Sequence, residues 1–228
     1  RLAKIPFLDP ATPEEARLMA GLAMDLSEEF RIPFILRPAI RVCHARQNLS
    51  WEKLESNTKK AAFEKDPGRW AATPRFRFIL HGELNKKLAA IGERFSALSE
   101  INYHNLDEGK QYPLGIIAGG VPFAAIKDIL VDEKRDDIPL LKLGAPYPLP
   151  KRLTDEFMEA CEKVLVLEET DTLIEYLLGD NRKVLGRISG HVPSQGELLP
   201  QILFDCLGKI LEELKLEPFT RKENYGID

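Results

Sequence analysis

The chain reads as an α/β protein built on a parallel sheet, and three features of the sequence point to that class. Three short apolar runs, PLGIIAGG at 113–120, LKLGAPYPLP at 141–150 and VLVLEETD at 164–171, each stop at a glycine, proline or acidic turn. Each is followed by a segment whose apolar residues recur at helical spacing, so strand, sharp turn and helix repeat as βα units. The runs are apolar nearly throughout rather than alternating, as strands covered on both faces of a sheet must be.

Taken in order, Thr12, Pro13 and Glu15 open the first helix: a threonine N-cap, a proline at the first helical position, and a glutamate three residues after the cap. Met19, Leu22, Ala23, Leu26 and Phe30 then make one apolar face. Residues 33–37 read as a strand whose continuation Pro38 turns into an edge or a bend. A lone helix and strand cannot bury a core, so residues 1–45 read as the last elements of a domain whose body lies upstream. Arg1 in place of an initiator methionine points the same way. Residues 46–75 form a polar connection with turns at 66–69 and at Thr73–Pro74. A helix is expected over 83–103, its stripe of Leu84, Leu88, Ile91, Phe95 and Leu98 packing on a neighbouring domain or subunit.

From Pro113 onward the strands are expected at 114–118, 139–143, 163–167 and 183–188. Helices are expected at 123–130, 151–161, 172–178 and 198–216. Leu165 and Leu167 are expected in the core on opposite faces of their strand. Ser194 and Glu197 have the spacing of a capping box for the last helix, with Pro200 in its first turn and Leu203, Leu207, Ile210 and Leu214 on its buried face. The chain thus divides into 1–45, the end of one α/β domain; 46–112, a linker and helix; 113–217, a second α/β domain; and 218–228, a polar tail.

Composition narrows the function. With 228 residues, 44% of them apolar, the chain can bury a substantial core. The 32 basic and 36 acidic residues give a net charge of -4 and are interspersed, so the basic stripe that nucleic acid demands is absent. No run approaches the roughly 18–20 apolar residues of a membrane span, and residues 1–10 lack the apolar core of a signal peptide. Cys43, Cys161 and Cys206 are odd in number and far apart, which fits a reducing, cytoplasmic setting.

Candidate chemistry is sparse. The glycines Gly115, Gly119 and Gly120, between strand and helix, form either a phosphate cradle or a plain tight turn; they match no phosphate-loop spacing, and the turn is the simpler reading. His44, His81, His104 and His191 show no metal-ligand spacing, and no iron–sulfur cysteine pattern occurs. Cys43 beside His44 suggests an activated thiolate only until one notes that strand neighbours point to opposite faces. Arg37, Arg41 and Arg46 straddle the end of the first strand and suit either a carboxylate or phosphate ligand or salt bridges to a neighbouring domain. The acids Glu168, Glu169 and Asp171 end a strand at the customary ligand edge, where they either meet a ligand, cap the next helix or contact another domain.

The residues 33–44 (PFILRPAIRVCH), Leu143-Gly144, YPLP at 147–150, EETD at 168–171 and GELLP at 196–200 occur in an order and spacing that resembles the 2-oxoacid:ferredoxin oxidoreductases, most closely the large (alpha) subunit of indolepyruvate ferredoxin oxidoreductases. The resemblance covers most of 8–45 and 113–216. It implies the end of a pyrimidine-binding domain followed by a three-layer, transketolase-C-terminal-like domain. Ala39 and Ile40 stand where relatives often carry threonines, Cys43 where they carry serine, and Gly119–Gly120 where they carry Ser-Gly.

The activity implied for the parent is oxidative decarboxylation of an aryl-2-oxo acid to an aryl-acetyl thioester. Thiamine diphosphate, magnesium and [4Fe-4S] clusters would serve as its cofactors, with coenzyme A, ferredoxin and a smaller subunit as partners. By the same resemblance the catalytic glutamate would lie before Arg1, and the diphosphate motif and cluster cysteines beyond Asp228. No catalytic, cofactor or metal residue is therefore assigned within the chain, and Arg37, Arg41 and His44 are the candidates to lie near substrate. The alternative is a non-catalytic α/β interaction module that keeps the same scaffold.

Overall fold

The structure, a computed structural model, describes residues 3–50, 62–71, 73–179 and 182–220; part of the expected 46–75 connection and most of the expected tail lie outside them. The elements run β1 (Phe7–Leu8), α1 (Pro13–Phe30), β2 (Ile35–Leu36), α2 (Ile40–His44), α3 (Pro67–Trp70), α4 (Pro74–Ser96) and β3 (Asn102–His104). They continue with β4 (Tyr112–Ala118), α5 (Gly120–Asp132), β5 (Leu140–Leu143), α6 (Lys151–Ala160), β6 (Cys161–Leu167), α7 (Ile174–Leu178), β7 (Val184–Leu185) and α8 (Pro200–Glu213).

Five strands form the main sheet in the order β3-β5-β4-β6-β7, parallel throughout except for β3, which pairs antiparallel with β5. Period-two alternation sends Leu114, Ile116, Leu165 and Leu167 to the face covered by α5 and α8. Ile117, Leu141, Val164 and Val166 go to the face covered by α6 and α7. Three layers result. Leu165 and Leu167 share a face, because residues two apart on a strand point the same way; the valines between and before them supply the other face.

The start of α1 matches its sequence signals. Glu15 N donates to Thr12 Oγ1 at 3.2 Å, and the Glu15 carboxylate accepts from Ala11 N at 2.9 Å. The N-terminal unit is larger than the one helix and one strand expected, since β1 pairs in parallel with β2. It is stapled to the main sheet: Phe7 N donates to Tyr147 O at 3.0 Å and Asp9 N to Gly144 O at 2.7 Å. Leu8, Met19 and Leu26 share a third core with Ile91, Phe95, Leu98 and Ile101, so the second half of α4 packs against both units.

Three expectations are corrected. The helix expected at 83–103 begins at Pro74 and ends at Ser96, and 102–104 is strand β3; Pro74 suits the first helical position, and pairing with β5 overrides helical preference further on. Ser194 and Glu197 do not cap α8, whose N-cap is Leu199 without a side-chain bond. Glu197 is instead drawn to Arg41. The strand expected at 183–188 shrinks to β7, because the Glu175 carboxylate stands against Gly186 where a side chain would be. The beginning of the polar tail is also held: Arg135 Nη1 donates to Glu217 O at 2.7 Å, and Phe219 stacks on Phe204 with centroids 4.4 Å apart.

Candidate functional site

In an open parallel sheet, ligands sit outside the carboxyl ends of two neighbouring strands whose following helices go to opposite faces. Here those strands are β4 and β6, since α5 packs on one face and α7 on the other. Their ends are tied together by Gly119 N donating to Leu167 O at 3.2 Å. After β4 the chain turns through Gly120, whose φ of 56° favours glycine. After β6 the carboxylate of Glu168 accepts from the backbone N–H groups of Leu173, Ile174 and Glu175 at 2.9, 2.7 and 3.0 Å, closing the first turn of α7. Burial pushes its carboxyl above the ordinary range, against the pull of those three donors.

The crevice between these turns is filled by the protein itself. A Cβ on Gly120 would stand 3.0 Å from Asp9 Oδ2, so the Asp9 carboxylate lies directly against the turn. Arg37 Nη2 donates to Asp9 Oδ2 at 2.7 Å and to Glu169 O at 3.1 Å. Arg41 reaches Glu169 through Nη2 at 2.5 Å and Glu197 through Nε at 3.2 Å. Glu169 Oε1 also accepts from Leu198 N at 2.5 Å, so one side chain joins α2, the end of β6 and the approach to α8. Burial is the larger influence on Asp9 and raises its carboxyl above the usual range, although Arg37 pulls it down. Beside this cluster Lys142, 1% exposed, pairs with Glu15 and lies over the rings of Phe123 and Tyr103 at 5.0 and 5.6 Å. Burial lowers the Lys142 pKa despite its partner.

Arg37 and Arg41 therefore come together, each engaged with carboxylates or a carbonyl of this same chain, while Arg46 and His44 stay exposed outside the cluster. Cys43 and His44 lie on helix α2 rather than a strand, and both are exposed. Asp9, Glu15, Lys142 and Glu197 were not singled out from the sequence as members of the site. Only Lys142 leaves a signal there, as the one charge inside LLKL.

The arrangement does not fit the groups implied by the resemblance. A diphosphate at the Gly119–Gly120 turn would meet the Asp9 carboxylate, and Gly115 is glycine for packing: a Cβ there would stand 2.5 Å from Cys161 Sγ and 2.9 Å from the Phe157 ring. Among the described residues no group of three or more His, Cys, Asp or Glu is placed to hold a metal ion. Cys161 and Cys206 are buried and separate, and burial pushes the Cys161 thiol up to about 11. What the arrangement does is hold two units together across an edge that commonly takes a ligand.

No family model matches the chain. It is 37% identical over 175 residues to the indolepyruvate oxidoreductase subunit IorA of Methanothermobacter marburgensis, covering 77% of this chain and 28% of that protein. It is 32% identical over 210 residues to the subunit of the same name from Methanothermobacter thermautotrophicus, covering 89% of this chain and 34% of that one. The chain thus spans about a third or less of these relatives. In structure it is similar to a 2-oxoglutarate:ferredoxin oxidoreductase from Magnetococcus marinus, with a TM-score of 0.57 at 14% identity, covering 92% of this chain and 42% of that one. That likeness is one of fold, and among the described residues no helix is long and apolar enough to cross a membrane. By sequence, over the stretch it spans, the chain belongs with the indolepyruvate oxidoreductase IorA subunits.

Proposed function

We propose that the chain is the scaffold segment of a cytoplasmic oxidoreductase that oxidatively decarboxylates aryl-2-oxo acids of the indolepyruvate kind to aryl-acetyl-CoA and passes the electrons to ferredoxin. In this reading residues 1–45 close a pyrimidine-binding domain, 46–112 are linker and helix, 113–217 are the transketolase-C-like domain and 218–228 are a tail. Thiamine diphosphate, magnesium and the [4Fe-4S] clusters belong to other parts of the full-length parent, and the smaller subunit, ferredoxin and coenzyme A are its partners. One observation supports the scaffold role above the rest: Asp9, Arg37 and Arg41 of the first unit occupy the carboxyl-edge crevice of the second. A sheet whose binding edge is spent on a neighbouring unit works as a joint. Of the three substrate-proximal candidates, Arg37 and Arg41 are committed to that joint, which leaves exposed His44 as the residue able to face another part of the enzyme.

Calorimetry of the chain with thiamine diphosphate and magnesium is the direct test of the segment's role. No binding is expected, and micromolar binding overturns the scaffold reading. The parent with its smaller subunit is expected to reduce ferredoxin or a viologen dye on addition of an arylpyruvate and coenzyme A. Failure with every 2-oxo acid tried would replace the enzyme reading with a non-catalytic interaction module.

A further inference from the structure

Two arginines in the C-terminal unit are buried to a similar degree, Arg135 at 6% exposed and Arg187 at 8%. Arg135 shows how this fold satisfies a buried guanidinium. Its Nε and Nη2 each donate to the Asp137 carboxylate at 2.8 Å, and its Nη1 donates to Glu217 O at 2.7 Å. Arg187, in the loop that follows β7, has one long bond, from Nη2 to Gly196 O at 3.4 Å. Its Nε and Nη1 are buried without any hydrogen-bond partner.

The surrounding acids do not make good the deficit. Glu175 turns both carboxylate oxygens to Ile188 N, each at 3.1 Å. Glu197, adjacent to the one carbonyl that Arg187 reaches, is held by Arg41 Nε at 3.2 Å. An arginine does not relieve this by losing its proton, because guanidinium stays charged across the working pH range. A buried cation with two unused donors is costly to hold, and such arrangements persist where something from outside supplies the missing acceptor.

We propose that Arg187 is the anchor of an oxyanion-binding site in the 186–197 loop, taking a small carboxylate or phosphate from solution. The chemistry follows from the edges of the planar guanidinium: Nε and Nη1 lie on different edges, and a small anion on either edge pairs that unused donor with an N–H of Nη2. Entry is over residues 194–197, which are exposed and linked to Arg187 only by the long Gly196 contact among the bonds of its side chain. The site adjoins the Asp9–Arg37–Glu169–Arg41 cluster through Glu197, but the Arg187 side chain makes no bond to any member of that cluster, so its anion binding is tested separately from the scaffold reading.

The test uses the chain with inorganic phosphate and with acetate as probes, against chloride at matched ionic strength. A saturable rise in Tm of about 2–4 °C over the chloride control is expected with one probe or both, and which of them acts identifies the oxyanion. Arg187→Met should abolish that rise while leaving the Tm without probe at or above the wild-type value, since it removes an uncompensated charge. Arg187→Gln, which keeps polarity but not charge, should likewise lose the response. The proposal is overturned if neither probe acts beyond chloride, if either variant keeps the response, or if both variants lose the fold, which would show the guanidinium compensated within the chain.

Discussion

The C-terminal sheet and the joint that ties the N-terminal unit to it are held by different physics. The sheet is apolar on both faces, and β6 contributes Val164, Leu165, Val166 and Leu167, all essentially inaccessible. The joint combines a smaller apolar core, Leu8, Met19 and Leu26 against Ile91, Phe95, Ile101 and Ala145, with charge that the sheet lacks: Arg41 with Glu169 and Glu197 and Lys142 with Glu15, aided by two backbone bonds, from Phe7 and Asp9. Burial of apolar surface is indifferent to pH, whereas ion pairs answer to pH, to salt and to the loss of one partner. The lesson is that the charged part of the docking answers to conditions, pH, salt and the loss of one partner, that leave the burial of the sheet unchanged.

The comparison breaks most visibly at Leu165. Leu165→Ala opens a cavity between β6 and the helices α5 and α8, and should cost about 2–5 kcal/mol of global stability. A denaturant titration measures it, and a loss below about 0.5 kcal/mol, the range of surface changes, contradicts the core placement.

Glu169→Ala acts on the joint instead. It strips Arg41 of its closest partner and leaves Leu198 N without its acceptor, at a cost of about 1–3 kcal/mol. Hydrogen exchange should quicken at Phe7, Asp9 and Arg37, whose N–H groups bond across the first unit and its docking, while residues 164–167 keep their protection. Equal quickening in both places would mean that joint and sheet are one cooperative block.

A smaller effect concerns pH. The Asp9 carboxyl is raised in the folded protein, so its contribution to stability is complete below the unfolded value of about 4 and is lost as pH rises through the higher folded value. Asp9→Asn cannot titrate, and the variant should therefore gain on the wild type as pH climbs from about 4 toward neutrality, as read from urea midpoints. Glu168 is raised in the same direction, but it is present in both proteins and cancels in the difference. A wild type that gains instead would show the attraction of Arg37 to outweigh the burial of Asp9.

The sheet was legible because its signal is local and redundant: a strand covered on both sides needs an apolar residue at every position, and 164–167 says so four times over. The start of α1 was legible for a similar reason, since Thr12, Pro13 and Glu15 act on backbone groups within one turn. The joint was only half legible. Arg37, Arg41 and the acids at 168–171 could be marked as a ligand site or as an inter-unit contact, but Asp9 and Glu15 meet their partners Arg37 and Lys142 across 28 and 127 residues, and no spacing rule reaches that far. Glu197 misled because its distance from Ser194 obeys a local rule that a tertiary partner, Arg41, overrules. The first half of α4 escaped because it packs on little: Phe78 is 84% exposed, so no buried stripe marks it. Arg187 carries no pattern at all, since being unpaired is a property of its surroundings rather than of its neighbours in sequence.

The bonds from Phe7 to Tyr147 and from Asp9 to Gly144 span some 140 residues, and this sets an order of events as the polypeptide emerges from the ribosome. At about 5–20 residues per second, β1 and α1 wait many seconds before the strand end that receives them exists. During that wait the side of α1 bearing Met19 and Leu26 has only its own unit, Leu8, Phe34 and Leu36, to lie against, and lacks Ile91, Phe95, Ile101 and Ala145. Contacts so distant in sequence are the slow ones to close. The N-terminal unit thus carries part of its apolar surface uncovered until those later partners are made, and over that interval the uncovered surface is available to a chaperone or to a neighbouring nascent chain.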